Sequence, residues 1–248
     1  MGYKTMVNEL IETLLDFVYP RNIYCILCGE VIEKTESYSL CTTCQEQVKF
    51  ITSRFCEKCG KPLESMYLPQ KCPDCIQNVH YFTKGFSCIE YDDNIKKLVY
   101  DLKYHNKRYL AYHMAEMMTA RFMKLEWEKP DVIVPIPLHP KKEKERGFNQ
   151  SALIAKYIGE SLDIPVEYRS VLRTKETETQ NRLNREERKE NLKNAFQIIK
   201  SQKFTDKKVL ILDDIYTTGS TMDACAKELC KMKPKEIIFM TFATGRNV

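Results

Sequence analysis

The stretch Val209 to Thr221, VLILDDIYTTGST, admits few folds. Val209, Leu210, Ile211 and Leu212 form an uninterrupted apolar run, as in a strand buried on both faces, and such strands belong to parallel sheets covered by helices. Asp213 and Asp214 follow where that strand should end. After Ile215 and Tyr216 comes a turn, Thr217-Thr218-Gly219-Ser220-Thr221, and then Met222, Cys225, Ala226 and Leu229 recur at the i, i+3, i+4, i+7 spacing of a helix face. The order is strand, acidic pair, hydroxyl–glycine turn, helix.

That order suits a sugar phosphate. Backbone N–H groups of the turn and the helix N-terminus point at an anion, and the helix dipole favours negative charge there. Thr217, Thr218, Ser220 and Thr221 bring hydroxyl donors, and Gly219 permits close backbone approach. Two carboxylates at the C-terminal end of a strand can accept hydrogen bonds from vicinal hydroxyls or hold a Mg²⁺ shell. An ordinary βα unit with an acidic surface turn would explain any one of these features, but not the ordered set.

Eleven cysteines constrain the other end of the chain. Eight form four CxxC pairs: Cys25/Cys28, Cys41/Cys44, Cys56/Cys59 and Cys72/Cys75. A CxxC knuckle presents two thiolates to one ion, and two knuckles close a tetrahedral four-cysteine zinc site with no open position, hence structural. Gly29 and Gly60 follow two of the second cysteines, as tight knuckle turns require. A redox CxxC reading lacks a thioredoxin-like context. The expectation is two structural Zn²⁺ sites. Sequential pairing closes two short loops and is favoured; an interleaved arrangement would use the same eight ligands. Cys88, Cys225 and Cys230 have no partner at ligand spacing and are expected as buried core thiols.

The chain has 248 residues, 43% hydrophobic and 29% charged, which is a globular composition. No apolar run is long enough to span a membrane. The segment MGYKTMVNELIETLLDFVYP reads as an amphipathic helix without the cationic start and continuous apolar stretch of a signal peptide. The expected location is cytoplasmic. Three parts follow: an N-terminal amphipathic helix over 1–22, a double zinc ribbon over 23–80, and an α/β domain over 81–248. Within the last, strands are expected at Gly85–Tyr91, Asp131–Pro137, near Val166–Leu172, Ala195–Ile199 and Glu236–Phe242. Helices are expected over the face Ile95, Leu98, Val99, Leu102, over roughly 108–125 and over 148–162. Such alternation implies a parallel sheet with helices on both faces, and ligands there bind at the carboxyl edge of the strands.

Charge is unevenly divided: residues 1–79 carry eight Lys/Arg against ten Asp/Glu, whereas the remainder carries 31 against 24. If nucleic acid binds, the basic α/β domain is the better surface. Three basic segments stand out: Lys96, Lys97, Lys103, Lys107 and Arg108 on or just after one helix; Lys141, Lys142, Lys144 and Arg146 in the expected loop before Gly147; and Arg173, Arg182, Arg185 and Arg188 in a long polar segment. Interspersed glutamates make most of this an ordinary solvated face. The helix with Tyr100 and Tyr104 is the most suggestive, because aromatic rings stack bases while Lys meets phosphates. The candidate contacts are Lys96, Lys103, Tyr104, Lys107, Arg108 and Arg146.

VLILDDIYTTGST resembles the PRPP-binding signature of type I phosphoribosyltransferases. The resemblance implies that Asp213 and Asp214 contact ribose hydroxyls and that Thr217 to Thr221 wrap the 5-phosphate. Purine-salvage members usually carry an Asp general base at the position of Thr217, so purine salvage is disfavoured. VPIPLH (Val134–His139), RGFNQS (Arg146–Ser151), LKY (Leu102–Tyr104) and the Gln180…Arg188…Asn191…Phe196 stretch, together with the signature and the double CxxC ribbon, look like the ComF family of competence-associated proteins. That resemblance implies a type I phosphoribosyltransferase-like domain behind a small double zinc ribbon with four cysteines per site. It also implies a pyrophosphate-side loop at Val134–His139, with Pro135, Ile136 and Pro137 at its heart, and a ligand-side segment at Thr174–Arg188. As partners it implies single-stranded DNA, the competence helicase, and PRPP or a related ribose phosphate with Mg²⁺.

Two functions of different classes fit. One is a DNA-uptake protein that keeps the PRPP-type pocket as a ligand or regulatory site. The other is an active Mg-dependent phosphoribosyltransferase, for which no catalytic residue or acceptor is assigned from the sequence.

Overall fold

A computed structural model describes residues 22–32, 37–64, 69–176, 187, 190–199 and 201–245. The helix expected over 1–22 lies outside these except for Asn22, as do Gln180, Arg182, Arg185 and Arg188. Four strands, β1 (Lys84–Glu90), β2 (Val132–Pro135), β5 (Lys208–Tyr216) and β6 (Glu236–Thr244), form a parallel sheet in the order β1-β6-β5-β2. A separate antiparallel pair joins β3 (Val171–Arg173) to β4 (Phe196–Ile198). Here the structure corrects the expected continuous alternation. Of the stretch Val166–Leu172, Val166 makes an isolated parallel bridge to Ile133, while Val171 onward leaves the main sheet to pair with β4.

The apolar run of β5 is buried on both faces, as its composition requires. Leu210 and Leu212 join a core with α3 (Asp93–Tyr104), α4 (Leu110–Phe122) and α6 (Gln150–Leu162); Val209 and Ile211 join a second core with α7 (Ser220–Cys230). Each such side chain contributes about 1.5–3 kcal/mol by burial. α3 begins at Asp92, whose side chain accepts from the Ile95 N–H, and buries Ile95, Leu98, Val99 and Leu102.

The four knuckles pair sequentially. Cys25, Cys28, Cys41 and Cys44 bring their sulfurs within 4.8 Å of one another, and so do Cys56, Cys59, Cys72 and Cys75. In each ribbon the first knuckle is a short antiparallel turn, bridged Tyr24↔Val31 in one and Phe55↔Pro62 in the other. In each, the second CxxC opens a helix: Cys41 immediately precedes α1 (Thr42–Gln47) and Cys72 immediately precedes α2 (Pro73–Gln77). The ribbons pack on opposite faces of the sheet: Cys25 and Cys44 belong to the α3/α4/α6 core, and all four cysteines of the second ribbon belong to the α7 core.

Two further expectations change. Residues 140–146, expected as a loop, form a helix, α5 (Pro140–Arg146). It buries no side chain, so it has no apolar stripe to read; its ends define it instead, with Pro140 at the start and Gly147 in the left-handed conformation (φ 82°) at the stop. Cys88 and Cys225 are core thiols, and burial pushes both well above the usual thiol range. Cys230, however, is exposed at the last turn of α7.

Candidate functional site

The cleft forms where β2 stops. Pro135 pairs with Leu212, the Ile136 N–H donates to the Leu212 carbonyl at 2.8 Å, and Pro137 has no N–H to continue. β5 runs on, paired only with β6 as far as Tyr216↔Thr244, so its side towards β2 is open from Asp213 onward. The resulting cleft has a volume of about 510 Å³, and Asp213, Asp214, Thr217, Gly219 and Thr221 line it together with Ile136 of the expected pyrophosphate-side loop. Pro135 and Pro137 do not line it; they shape the chain that does.

The acidic pair is held from two helices. Ser151 Oγ donates to Asp213 Oδ1 at 2.6 Å, and the same oxygen accepts the Asp214 N–H at 2.9 Å. Gln150 Nε2 donates to Asp214 Oδ1 at 3.3 Å, and the Lys103 ammonium of α3 forms an ion pair with Asp214 Oδ2. Burial works against the charge of Asp214, but Lys103 outweighs it and holds this carboxyl below its usual range. Asp213 goes the other way, pushed up to about 7 by burial and by the neighbouring Asp214 charge. The pair therefore carries roughly one firm negative charge and one that titrates near neutrality.

The segment RGFNQS is the bracket that makes this geometry. Gly147 ends α5 and the Phe148 ring lies under the Arg108 guanidinium at 4.7 Å. Asn149 Oδ1 accepts from the Ser151 and Ala152 N–H groups, capping α6, while its Nδ2 donates to the Ile136 carbonyl at 3.0 Å. One side chain thus fixes both the helix start and the loop after β2. Gln150 and Ser151 in the first turn of α6 then reach the two carboxylates, and Arg146 bonds Gln150 from behind.

The turn after β5 is shaped for an anion. Gly219 has φ 80° and precedes α7; a Cβ there would lie 2.4 Å from the Tyr216 hydroxyl, so only glycine fits. Thr217 and Thr221 face the cleft, whereas the hydroxyls of Thr218 and Ser220 bond each other at 2.9 Å. Lys142, Arg146 and Arg173 line the same cleft. Burial and, less strongly, the nearby Arg173 guanidinium hold the Lys142 ammonium below its usual range.

Lys103, expected from the sequence among nucleic-acid contacts, is brought into the cleft by the structure. Lys107 is ion-paired with Asp101 at 2.8 Å, and Arg108 bonds Asn106 at 2.9 Å. Lys96 and Tyr104 are exposed on α3. Arg146 bridges the two groups, lying 5.3 Å from the Tyr104 ring while lining the cleft. Ser151, Gln150 and Asn149 are not assignable from the sequence, because their roles arise only where three elements converge.

The metal clusters fit zinc. Four thiolates at a Zn–S distance of about 2.3 Å leave sulfurs about 3.8 Å apart in a tetrahedron. Cys28 and Cys41 sulfurs are 3.7 Å apart, and those of Cys59 and Cys72 are 3.6 Å apart.

Comparison with known families agrees with this geometry. The double zinc ribbon domain matches residues 14–76, and the phosphoribosyl transferase domain matches residues 103–247. The chain belongs to the phosphoribosyl transferase domain family. Its relatives include Competence protein F of Haemophilus influenzae, 38% identical over 44% of this chain and 48% of that protein. DNA utilization protein YhgH of Escherichia coli K12 is 30% identical over 57% of this chain and 63% of its own length. Competence protein ComFC of Bacillus subtilis is 27% identical over 83% of this chain and 88% of its own. The matches thus span about half to two-thirds of the first two relatives. Ribbon followed by transferase domain, with relatives so named, bears out the ComF-family resemblance. No helix among the described residues is long and apolar enough to cross a membrane.

Proposed function

We propose that this chain is a competence-associated cytoplasmic protein that handles incoming single-stranded DNA in natural transformation, alongside the competence helicase. In this reading the cleft holds PRPP or a related ribose phosphate with Mg²⁺. The observation that carries the proposal is the acidic pair at the open edge of β5, sharing one cleft with the Gly219 turn and with Lys142, Arg146 and Arg173. Asp213 and Asp214 accept the ribose hydroxyls, the N-terminus of α7 receives the 5-phosphate, and the three basic side chains face the pyrophosphate.

The DNA surface in this reading is α3. Tyr100 and Tyr104 are both about half exposed, their rings 4.7 Å apart, and Arg146 connects them to the cleft. Stacked bases on such a platform would run into the pocket mouth. The test is one titration in two parts. Mg²⁺·PRPP should bind the wild type and fail to bind the Asp213→Asn/Asp214→Asn variant. Single-stranded DNA should bind with a steep salt dependence, and Tyr100→Ala/Tyr104→Ala should weaken it by about tenfold or more. Undiminished DNA binding by the tyrosine variant would remove α3 from the proposal.

That Lys142, Arg146 and Arg173 line one cleft favours a second reading, an active phosphoribosyltransferase, since positive charge there would stabilise a departing pyrophosphate. Release of pyrophosphate from PRPP with any acceptor would establish it. Absence of turnover across a broad acceptor panel would leave the binding function alone.

A further inference from the structure

The second ribbon touches the phosphate turn by two routes. The first is polar. The sulfur of Cys75, a zinc ligand, is 3.4 Å from His80 Nε2, and His80 Nδ1 is 2.6 Å from Asp223 Oδ2. The Tyr81 N–H donates to the other oxygen of that carboxylate at 3.0 Å. Asp223 belongs to the first turn of α7, where its own N–H donates to the Gly219 carbonyl at 2.8 Å. The second route is aromatic. The His80 ring stacks on Phe82 with centroids 4.8 Å apart, Phe82 meets Phe239 edge-on at 4.7 Å, and Phe239 lies flat on Tyr216 at 4.8 Å. The Tyr216 hydroxyl lies close against Gly219.

A buried histidine with two hydrogen-bonding partners is by itself ordinary packing. An acid in the first turn of a helix is common too, since it complements the dipole; what sets Asp223 apart is that it shares that turn with the proposed anion site. Its carboxylate sits beside the helix terminus that receives an anion, where a free negative charge would compete with the ligand. Both its oxygens are instead taken by the ribbon side, and Asp223 lines a separate cavity with Tyr81 and Lys227, outside the ligand cleft. The ribbon thus turns a like charge away from the anion site and fixes the first turn of α7 in one position. Groups that hydrogen-bond a metal ligand commonly change metal affinity by about 10–100-fold, so the strut acts in both directions.

We infer that His80 and Asp223 are positioning residues that couple the second zinc cluster to the phosphate-binding turn, so that zinc at that cluster and ribose phosphate in the cleft strengthen each other's binding. This rests on reading the cleft as a ribose-phosphate pocket. Linkage makes the effect reciprocal: the factor by which zinc raises ligand affinity equals the factor by which ligand raises zinc affinity.

The experiment is an equilibrium competition for zinc against a chromogenic chelator, using the full chain with and without Mg²⁺·PRPP, beside calorimetric titration of PRPP. PRPP should raise the affinity of one of the two zinc ions by roughly tenfold and leave the other unchanged. His80→Ala and Asp223→Asn should each erase that difference and weaken PRPP by a similar factor, and the double variant should cost no more than either single one. Should His80→Ala fail to fold, Asp223→Asn, which keeps the shape of the side chain, carries the test alone. Equal zinc affinities with and without PRPP, or additive losses in the double variant, would overturn the coupling while leaving the pocket intact. No PRPP binding by the wild type would remove the pocket reading and the coupling with it.

Discussion

Asp213 is the residue at which pH should be felt. Its carboxyl is pushed up to about 7 by burial and by Asp214, whereas in an unfolded chain it would ionise near its ordinary value of about 3.9. The folded state therefore holds a proton that the unfolded state releases between about pH 4 and pH 7, so this group lowers stability as pH rises through that window, and the loss persists above it. An asparagine in place of Asp213 would keep an oxygen for the Ser151 hydroxyl and the Asp214 N–H and carry no charge. Asp213→Asn should thus melt higher than the wild type at pH 8, by about 2–4 °C for each kcal/mol recovered; an equal or lower melting temperature would refute the shift. For the ligand the sign is opposite. The ionised carboxylate is the better acceptor for ribose hydroxyls, so PRPP affinity should climb by up to about tenfold per pH unit below 7 and level off above. Titration of the ligand's own phosphates, near pH 6, contributes to that slope as well, and Asp214→Asn should shift the break to lower pH by removing the neighbouring charge. The acidic pair itself is legible in the sequence because strand, turn and helix are contiguous. Lys103, Gln150 and Ser151 are not, since each reaches the carboxylates from a distant part of the chain.

At the scale of elements, the two ribbons provide an internal comparison. Both first knuckles end in a left-handed glycine, Gly29 at φ 84° and Gly60 at φ 70°, and each glycine N–H closes the turn onto the first cysteine carbonyl. Their surroundings differ. A Cβ on Gly29 would meet nothing within 4 Å, while one on Gly60 would lie 2.6 Å from the Gly85 carbonyl oxygen and from Phe86 Cα, both backbone atoms of β1. Gly29→Ala should therefore cost only the left-handed conformation, about 1–2 kcal/mol. Gly60→Ala should cost a further 1–3 kcal/mol or so, because the knuckle must back away from the sheet. Denaturant unfolding of the zinc-loaded protein measures both, and equal costs would show that the second knuckle does not press on β1. The knuckle glycines can be read from sequence; the asymmetry between them cannot, because it depends on a strand lying beside one of them. α5 escapes a sequence reading for a related reason. Pro140-Lys-Lys-Glu-Lys-Glu-Arg146 has no apolar face, and periodicity reports a helix only through the side it buries.

Across the whole molecule, the ribbons clamp the sheet from opposite faces, and they differ in access. Cys28 is exposed and Cys41 partly so, whereas Cys56, Cys59 and Cys72 are fully enclosed. A chelator should strip zinc in two phases, the faster from the first ribbon, and loss of tertiary structure should follow the slower one. Parallel records of zinc release and near-ultraviolet circular dichroism test this; a single phase would mean that the two clusters open together. The α/β class, the order of its main parts and the eight ligands are all present in the sequence. That the two ribbons embrace the sheet is not, since nothing in CxxC spacing says which face a module will cover.

The strand order β1-β6-β5-β2 bears on how such a protein comes off the ribosome. β1 pairs in the main sheet only with β6, Lys84 opposite Ile238, so about 150 residues are synthesised before β1 meets its neighbour. Until then the strand is tethered through Phe50, which bridges to Ile89, to ribbons that can already have taken up their metal. β6 then enters as a keystone between β1 and β5, bringing Phe239 between Gly85 and Tyr216. A nascent chain halted before Glu236 would carry a loaded metal module and both carboxylates of the cleft, yet lack the strand that joins them into one body.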